Sequence, residues 1–271
     1  VDGQSYSFVN NADVSITPID SVYKFSNLVV YEGSYLNYKY TANTSDIDQR
    51  FIIPNDSVDT TTLTVKIQES SSDSTTKTWS LATGITGIDD ESEVYFLQEV
   101  EGGRFEVYFG DGVMGKAIAD GNIVILDYIN TNRDAPNGAT SFTLSGTVGG
   151  FSSATVTTIS NASGGTGLES ITSIKYNAPR DYSAQDRAVT AEDYKTLVKG
   201  LYANAQSVQV YGGEDAAVPD YGKVYISIKA KSGSNLTVAT KESIVTSLKT
   251  YAVASVTPVI IDPETTYITL V

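Results

Sequence analysis

The stretch VYFLQEVEGGRFEVYF, residues 94–109, decides the fold class of this 271-residue chain. Phe105, Val107 and Phe109 alternate with Glu106 and Tyr108, which is the two-residue period of a half-buried β-strand. Between the two apolar runs, Glu-Gly-Gly supplies the residues that a tight turn requires. The stretch therefore predicts an antiparallel β-hairpin.

Similar patterns lie on both sides of this hairpin. YEGSYLNYKY (31–40) predicts a hairpin with its turn at Glu-Gly-Ser (32–34), and LTVKIQES (63–70) and KTWSLA (77–82) predict two further strands. GNIVILDYI (121–129) predicts a more continuously apolar strand. Many short strands separated by turns predict an irregular β-sandwich or barrel for the first part of the chain.

After Gly167 the apolar period lengthens from two residues to three. Leu168, Ile171 and Ile174 lie three residues apart, so they predict a short helix. A residue that precedes proline disfavours helical backbone, and we expect this helix to stop before Pro179.

Two further helices are predicted downstream, each followed by strands. Thr190 with Asp193 three residues later predicts an N-cap, and the helix it starts should end near Asn204. Thr237 predicts a second N-cap. The order is α-β-β-α-β-β, and the four strands are SVQVYGG (207–213), KVYISIKAK (223–231), SVTPVII (255–261) and TTYITLV (265–271). Helices on one face of a small mixed sheet would bury both apolar stripes.

The charge composition of the chain changes close to the point where the apolar period changes. Residues 1–172 hold 8 basic and 22 acidic side chains and residues 173–271 hold 10 of each, so all of the net charge of -14 lies in the first part. We predict an acidic β-rich domain at 1–166, a short helix and connector at 167–189, and an α+β domain at 190–271. The acidic domain would include an uncharged hairpin or arm at 135–166. The chain starts at Val1 and stops inside an alternating run, which predicts a piece of a longer polypeptide, truncated at the C-terminus of its last domain.

Composition limits the chemistry that the chain can carry out. It contains neither Cys nor His, which excludes disulfides, thiolate or imidazole metal sites and His-based triads. The net charge of -14 opposes binding to nucleic acid or acidic lipid. No apolar run is long enough to predict a membrane span, and no signal peptide is apparent.

FGDGVMGKA (109–117) matches two nucleotide-binding patterns in part. Gly110, Gly112 and Gly115 fit G-x-G-x-x-G, and Gly110 with Lys116 approaches a P-loop. Both sites need a helix directly after the glycines, and the sequence predicts a short connector and a strand instead. The glycines therefore predict a β-turn, in which they supply positive φ, and no cofactor is expected.

Charged clusters offer two weaker candidates. Asp46 with Asp48, and Asp-Asp-Glu at 89–91, lack the spacing of a calcium loop, so we expect solvated carboxylates and no metal. Arg180, Arg187 and Lys195 are expected to pair with Asp181, Asp186 and Asp193, or else to form a face that binds a partner.

Two segments together resemble a known family. FGDGVMGKAIADGNIVILDYINTNRDAPNGA (109–139) is similar to the strand, FGDG turn and strand of baseplate J-like proteins of contractile phage tails. NAPRDYSAQDRAVTAEDYKTLV (177–198) is similar to their AP-R and RAVTAEDY signature, which is the more specific match. The resemblance covers roughly residues 103–271, and the first hundred residues match only as generic β-structure.

The resemblance implies a structural protein without catalytic residues. A member would be a late protein of the virion, assembled in the host cytoplasm. There it would form homodimers and contact neighbouring wedge proteins to build the inner baseplate ring around the hub. Its motif residues would act as fold markers, and the interface residues stay unknown. These markers are Gly110, Asp111, Gly112, Gly115, Pro179, Arg180, Arg187, Thr190, Glu192, Asp193 and Tyr194.

The tyrosine-rich strands leave an alternative function open. Aromatic side chains such as Tyr35 and Tyr38 could serve a surface adhesin as a platform for glycans. Under the baseplate hypothesis, in contrast, the part with balanced charge (173–271) can meet a copy of itself without net repulsion. We therefore expect the main homotypic interface to lie there.

Overall fold

The computed structural model describes residues 1, 3–46, 48–84, 87–202, 204–216, 218–231 and 235–264. Their contacts divide the chain into two compact units. The β unit comprises Gly3–Asn132, and the α+β unit comprises Arg133–Val271 with Val1–Asp2. The predicted class, mainly β followed by a small α+β part, is confirmed.

The β unit is built on one large sheet. Seven strands form it in the order β3-β9-β5-β6-β7-β8-β4, and β1 pairs with β2. Neighbours in the large sheet are antiparallel except β6 and β7. The strands are β1 (Phe8–Val9), β2 (Tyr31–Glu32), β3 (Ser34–Thr41), β4 (Phe51–Ile52), β5 (Val58–Gln68), β6 (Thr76–Leu81), β7 (Val94–Val100), β8 (Arg104–Phe109) and β9 (Ile123–Asn130).

Side chains join the two edges of this sheet. The hydroxyl of Tyr40 on edge strand β3 donates a hydrogen bond to the carbonyl of Ile52 on edge strand β4. The Tyr40 ring also meets the Phe51 ring edge-on at 5.5 Å. The sheet is therefore a nearly closed barrel around an apolar core, whose largest fully buried side chains include Phe51, Ile53, Val65, Val107, Leu126 and Tyr128.

Strand β9 is the most deeply buried strand of the unit. Its residues 124–129 are all buried, since β3 pairs with one edge and β5 with the other. Asp127 is the charged exception. Its carboxylate accepts hydrogen bonds from Lys66 Nζ at 2.9 Å and from the Asn37 side-chain amide. The hydrogen bond to Asp127 raises the pKa of Lys66, which favours the charged ammonium group.

Most predicted strand pairs of the β unit are present, but the hairpin at 32–34 is wrong. The predicted hairpin at 94–109 is formed by β7 and β8, and β5 pairs with β6. Gly33 has φ of +129°, and a Cβ on it would lie 2.3 Å from the carbonyl oxygen of Asn130. The chain turns at this close approach, and β2 pairs with β1 whereas β3 pairs with β9, so no hairpin closes at Gly33.

The α+β unit packs helices on one small mixed sheet. Strand β11 pairs antiparallel with β10 and parallel with β12. Helices α2 and α3 contact each other and pack on this sheet, as predicted. The elements are α1 (Ile171–Ala184), α2 (Ala191–Leu201), β10 (Ala205–Gly212), a short 3₁₀ turn (Gly213–Asp215), β11 (Lys223–Ala230), α3 (Val238–Lys249) and β12 (Thr257–Ile261).

The predicted order α-β-β-α-β-β holds for its first five elements. The sixth, the strand TTYITLV at 265–271, lies outside the described residues. The helix that follows Thr190 ends at Leu201 and not near Asn204, because the chain there turns into β10.

The prediction for α1 is wrong about where the helix ends and about which side chains it buries. The helix runs through Pro179, and only its last residue, Ala184, is buried. Proline lacks the N–H that an interior helical position would donate, but the Ser170 N-cap and the contacts of α1 with α2 support the helix on both sides. The predicted apolar stripe does not pack inward, because Leu168, Ile171 and Ile174 are all exposed.

The uncharged segment at 135–166 is extended, without a strand ladder. Backbone hydrogen bonds join its base, where Gly138 and Ala139 pair with Ala162, and its tip, where Val148 pairs with Phe151. The compact units separate at residue 132, so this segment groups with the α+β unit. The predicted domain limits at 166 and 190 stay a prediction.

None of the helices described has the length and apolar character that crossing a bilayer would need.

The Asp127 cluster gives a first prediction. Asp127→Ala leaves Lys66 and Asn37 without their shared acceptor inside the sheet, and we expect it to lower the free energy of unfolding by about 2 kcal/mol or more. Urea denaturation measures this loss. Asp90→Ala, in an exposed turn, is the control and should change stability by about 0.5 kcal/mol or less. Equal effects of the two substitutions would contradict the role given to Asp127.

Candidate interaction site

The FGDG segment forms a tight turn after β8. The Asp111 carboxylate accepts hydrogen bonds from the backbone N–H groups of Val113 and Met114, at 2.9 and 3.0 Å. These bonds hold the pKa of Asp111 below its usual value. Gly112 and Gly115 have φ of +85° and +84°, and Gly112 N–H donates to the Gly115 carbonyl at 3.0 Å. The four motif residues of this turn therefore determine the conformation of the local backbone.

The turn lacks what a nucleotide site requires. Residues 110–122, all of them described, contain no helix, so no helix N-terminus faces the glycines. Asp127 lies downstream of the glycines, where a dinucleotide fold would have a ribose-binding acid, but it is buried and paired with Lys66. The geometry fits the predicted glycine-rich turn.

The RAVTAEDY segment forms the entry to α2. Thr190 Oγ1 accepts a hydrogen bond from Asp193 N–H at 3.3 Å, and Asp193 Oδ2 accepts one from Thr190 N–H at 2.7 Å. This reciprocal arrangement is a capping box. Burial alone would raise the pKa of Asp193, but the hydrogen bonds from Thr190 and Val189 hold it below its usual value.

Ala188 and Tyr194, on either side of the capping box, hold the start of α2 against the rest of the unit. Ala188 is buried, and its N–H donates to the Tyr251 carbonyl at 2.8 Å, which ties the segment to the end of α3. The Tyr194 ring is 2% exposed, and its hydroxyl has no hydrogen-bond partner among the described residues. The signature residues of this segment therefore anchor α2.

The basic side chains around α1 and α2 do not form the expected salt bridges. Arg180 stacks 3.7 Å over the Tyr176 ring and donates to the Tyr176 carbonyl. Lys195 pairs with Glu192 at 2.7 Å, and Arg187 donates to the Gln185 side chain. Among the described residues, no ion pair joins these cations to Asp181, Asp186 or Asp193.

These side chains surround a groove, which we call the α1–α2 groove. Its volume is about 290 Å³, and helices α1 and α2 and the start of β10 form its walls. Tyr176 and Lys199 belong to it, although the sequence prediction missed both. Their four-residue spacings to Arg180 and Lys195 were a usable signal, because residues four apart share one helix face. The groove is lined by Tyr176, Asn177, Arg180, Glu192, Lys195, Thr196, Lys199, Gln206, Ser207 and Val208.

The acidic clusters show no arrangement for a cation. Within the described ranges, no three carboxylates come together as a metal site would require. Asp89 accepts a hydrogen bond from Ser92, and Glu91 lies 3.9 Å from Lys116. The two exposed tyrosines of the glycan alternative, Tyr35 and Tyr38, lie on edge strand β3. The FGDG turn belongs to the β unit and the helix entry to the α+β unit.

Comparison with known proteins shows similarity to baseplate proteins. Residues 190–261 match the family of the baseplate structural protein gp6, C-terminal domain I. The chain is also 30% identical over 200 residues to the baseplate wedge protein gp6 of Enterobacteria phage T4. Both matches agree with the resemblance to baseplate proteins that the sequence predicted, and this predicted resemblance is confirmed.

The match to the T4 protein covers part of each chain. It includes 65% of this chain and 30% of the relative. The acidic, Thr-rich character and the Asn-Arg-Asp insert at 132–134 predict a C-terminal part of the wedge protein of T-even phages. A chain of the anti-feeding prophage baseplate, solved by cryo-EM, is 11% identical and covers 85% of this chain and 58% of its own. Its TM-score of 0.29 is too low to support any statement about fold.

Gly110 allows a test of the turn. A Cβ at this position would lie 2.2 Å from the Gly115 carbonyl oxygen, so we expect Gly110→Ala to cost about 2 kcal/mol of folding stability. Gly146→Ala is the matched control, because that glycine has open space around it and no positive φ. Thermal unfolding compares the two proteins, and a tolerated Gly110→Ala would contradict the close approach.

The capping box predicts a pH dependence. The pKa of Asp193 is lower in the folded chain than in the unfolded chain, so its contribution is present above the unfolded value of 3.8 and is lost as the pH falls through the folded value. At pH 7 we expect Asp193→Asn to cost about 0.5–1 kcal/mol. The difference from the unsubstituted chain should shrink in acid, as urea denaturation between pH 7 and pH 3 would show. A difference that stays constant across this range would contradict the carboxylate's role.

Proposed function

We propose that this chain is a baseplate wedge subunit that associates with itself and with neighbouring wedge proteins to build the inner baseplate ring around the hub. Its role is assembly, with no catalysis. The similarity to the T4 wedge protein and the match of residues 190–261 to the C-terminal domain family of gp6 support the proposal.

One observation carries the self-association. The family match lies in the α+β unit, which has 11 basic and 12 acidic side chains from residue 133 onward. The β unit has 7 basic and 19 acidic side chains. Copies of the α+β unit can therefore approach each other almost without net repulsion, whereas copies of the β unit repel each other. We propose that the main homotypic interface lies in the α+β unit.

Sedimentation equilibrium of the whole chain tests this proposal. We expect a dimer that weakens when Lys229 and Lys249, two exposed lysines of the α+β unit, are changed to Glu. The matched control changes the exposed Lys24 and Lys39 of the β unit to Glu, with the same change in net charge. Mixing the chain with the other wedge proteins of its phage should yield a larger complex. A chain that stays monomeric at high concentration and binds none of them would contradict the proposal.

A further inference from the structure

Residues 135–166, which we call the uncharged arm, have the connectivity of a β-hairpin. Backbone hydrogen bonds close the arm at its base and at its tip. At the tip, Gly149 and Gly150 have φ of +57° and +86°, which fits a two-residue hairpin turn. The two segments that join base and tip, 139–148 and 151–162, have nearly equal lengths, so they can lie side by side as the strands of a hairpin.

Between its ends the uncharged arm lacks the ladder of a hairpin. Residues 143–147 and 152–161 are all exposed, and none of them forms a backbone hydrogen bond within the described ranges. Five consecutive β-branched residues, 155–159, favour extended backbone in the second segment. A two-stranded hairpin is marginally stable in water, and further strands stabilise it. The arm thus has strand-forming side chains and a backbone that is available to a further strand.

The chain contains a second hairpin of the same construction but with a different edge. Residues 8–32 are closed at the base by β1 and β2 and at the tip by a single bridge. Between base and tip this hairpin carries Asp13, Pro18 and Lys24, and charges and prolines on an edge strand oppose pairing with another chain. The uncharged arm has no charge, and its one proline, Pro136, precedes both segments. Its edge therefore lacks the usual protection against pairing.

Charge favours a second copy as the partner of this edge. The net charge of -14 makes two copies repel each other, and most of this charge belongs to the β unit. The uncharged arm adds nothing to the repulsion, so two copies meet through it at the least electrostatic cost. A basic partner would instead bind the acidic surfaces, to which the arm does not belong.

The edge is also complementary to itself. Two copies of one strand that are related by a twofold axis run antiparallel, and antiparallel strands exchange backbone hydrogen bonds at every second residue. Val156 and Ile159 are 46% and 74% exposed, and pairing would cover part of both side chains. A second copy therefore supplies both the hydrogen-bond partners and the apolar contact that the arm lacks.

We infer that segment 152–161 of the uncharged arm pairs antiparallel with the same segment of a second copy. The two hairpins then form one four-stranded sheet across the dimer. This inference rests on the proposed self-association, and it assigns a backbone contact to the interface proposed for the α+β unit, to which the arm belongs. Because the same surface is used by both copies, the contact closes with the dimer.

Proline substitution in the whole chain tests the backbone pairing. We expect Thr157→Pro with Thr158→Pro to weaken dimer formation by about tenfold or more, because successive N–H groups point to opposite edges of a strand and both are removed in each copy. Thr157→Ser with Thr158→Ser is the matched control, which keeps both N–H groups and should dimerise as the unsubstituted chain does. Neither residue is hydrogen-bonded within the described ranges, so thermal unfolding should show that both variants fold.

Disulfide crosslinking tests the identity of the partner, because the chain has no cysteine of its own. A single cysteine is placed at each position of 153–160 in turn, and each protein is oxidised at the concentration where dimers form. A residue next to the twofold axis faces its own copy, so one position or two neighbouring positions should crosslink far more than the others. Ser15→Cys, in the charged hairpin at 8–32, is the control and should not crosslink.

Sedimentation equilibrium of these variants separates the possible outcomes. If the proline and serine variants dimerise equally, or if no position of the arm crosslinks although dimers form, the arm contact is wrong and the proposed function stands. If the proline variant dimerises normally but no longer binds the other wedge proteins, the arm serves a different partner, which also overturns the inference. An unsubstituted chain that forms no dimer contradicts both the inference and the proposed self-association.

Discussion

The pairing of β9 with β3 and β5 is the interaction on which the β unit depends. A strand bonded on both edges and buried on both faces can carry only apolar or internally neutralised side chains, and residues 124–129 meet this requirement. Asp127 is tolerated there because Lys66 and Asn37 lie on the two flanking strands. The order of the sheet follows from this centre, since β5 leads through β6, β7 and β8 to β4, which meets β3 again through Tyr40.

The local parts of this fold could be predicted from the sequence. Alternation identified β5 to β8, a continuous apolar run identified β9, and the Thr190 and Asp193 spacing identified the start of α2. Each of these signals depends on residues within a few positions of each other. The position of Gly33 against Asn130 could not be predicted, because it joins residues almost a hundred positions apart. The rule that proline ends helices failed at Pro179, where a cap and a neighbouring helix support α1.

The candidate site, too, has local parts that the sequence predicted and a part that it could not predict. The motif residues of the FGDG turn and of the α2 entry are explained by backbone hydrogen bonds, so their role as fold markers needs no ligand. The α1–α2 groove, in contrast, exists only where two helices and a strand meet. In the sequence its cations cannot be distinguished from ordinary exposed charged residues. Spacing of four residues was the one local signal available for it.

Uneven charge connects the fold with the proposed assembly. The β unit carries 12 more acidic than basic side chains, whereas the α+β unit is nearly balanced, and in the proposed assembly this difference determines which surfaces of two copies meet. Hydrogen–deuterium exchange of the whole chain at rising protein concentration measures this most directly. The account predicts that amides between residues 173 and 264 gain protection first, at the concentration where dimers form. Protection that appears first in the β unit would contradict it.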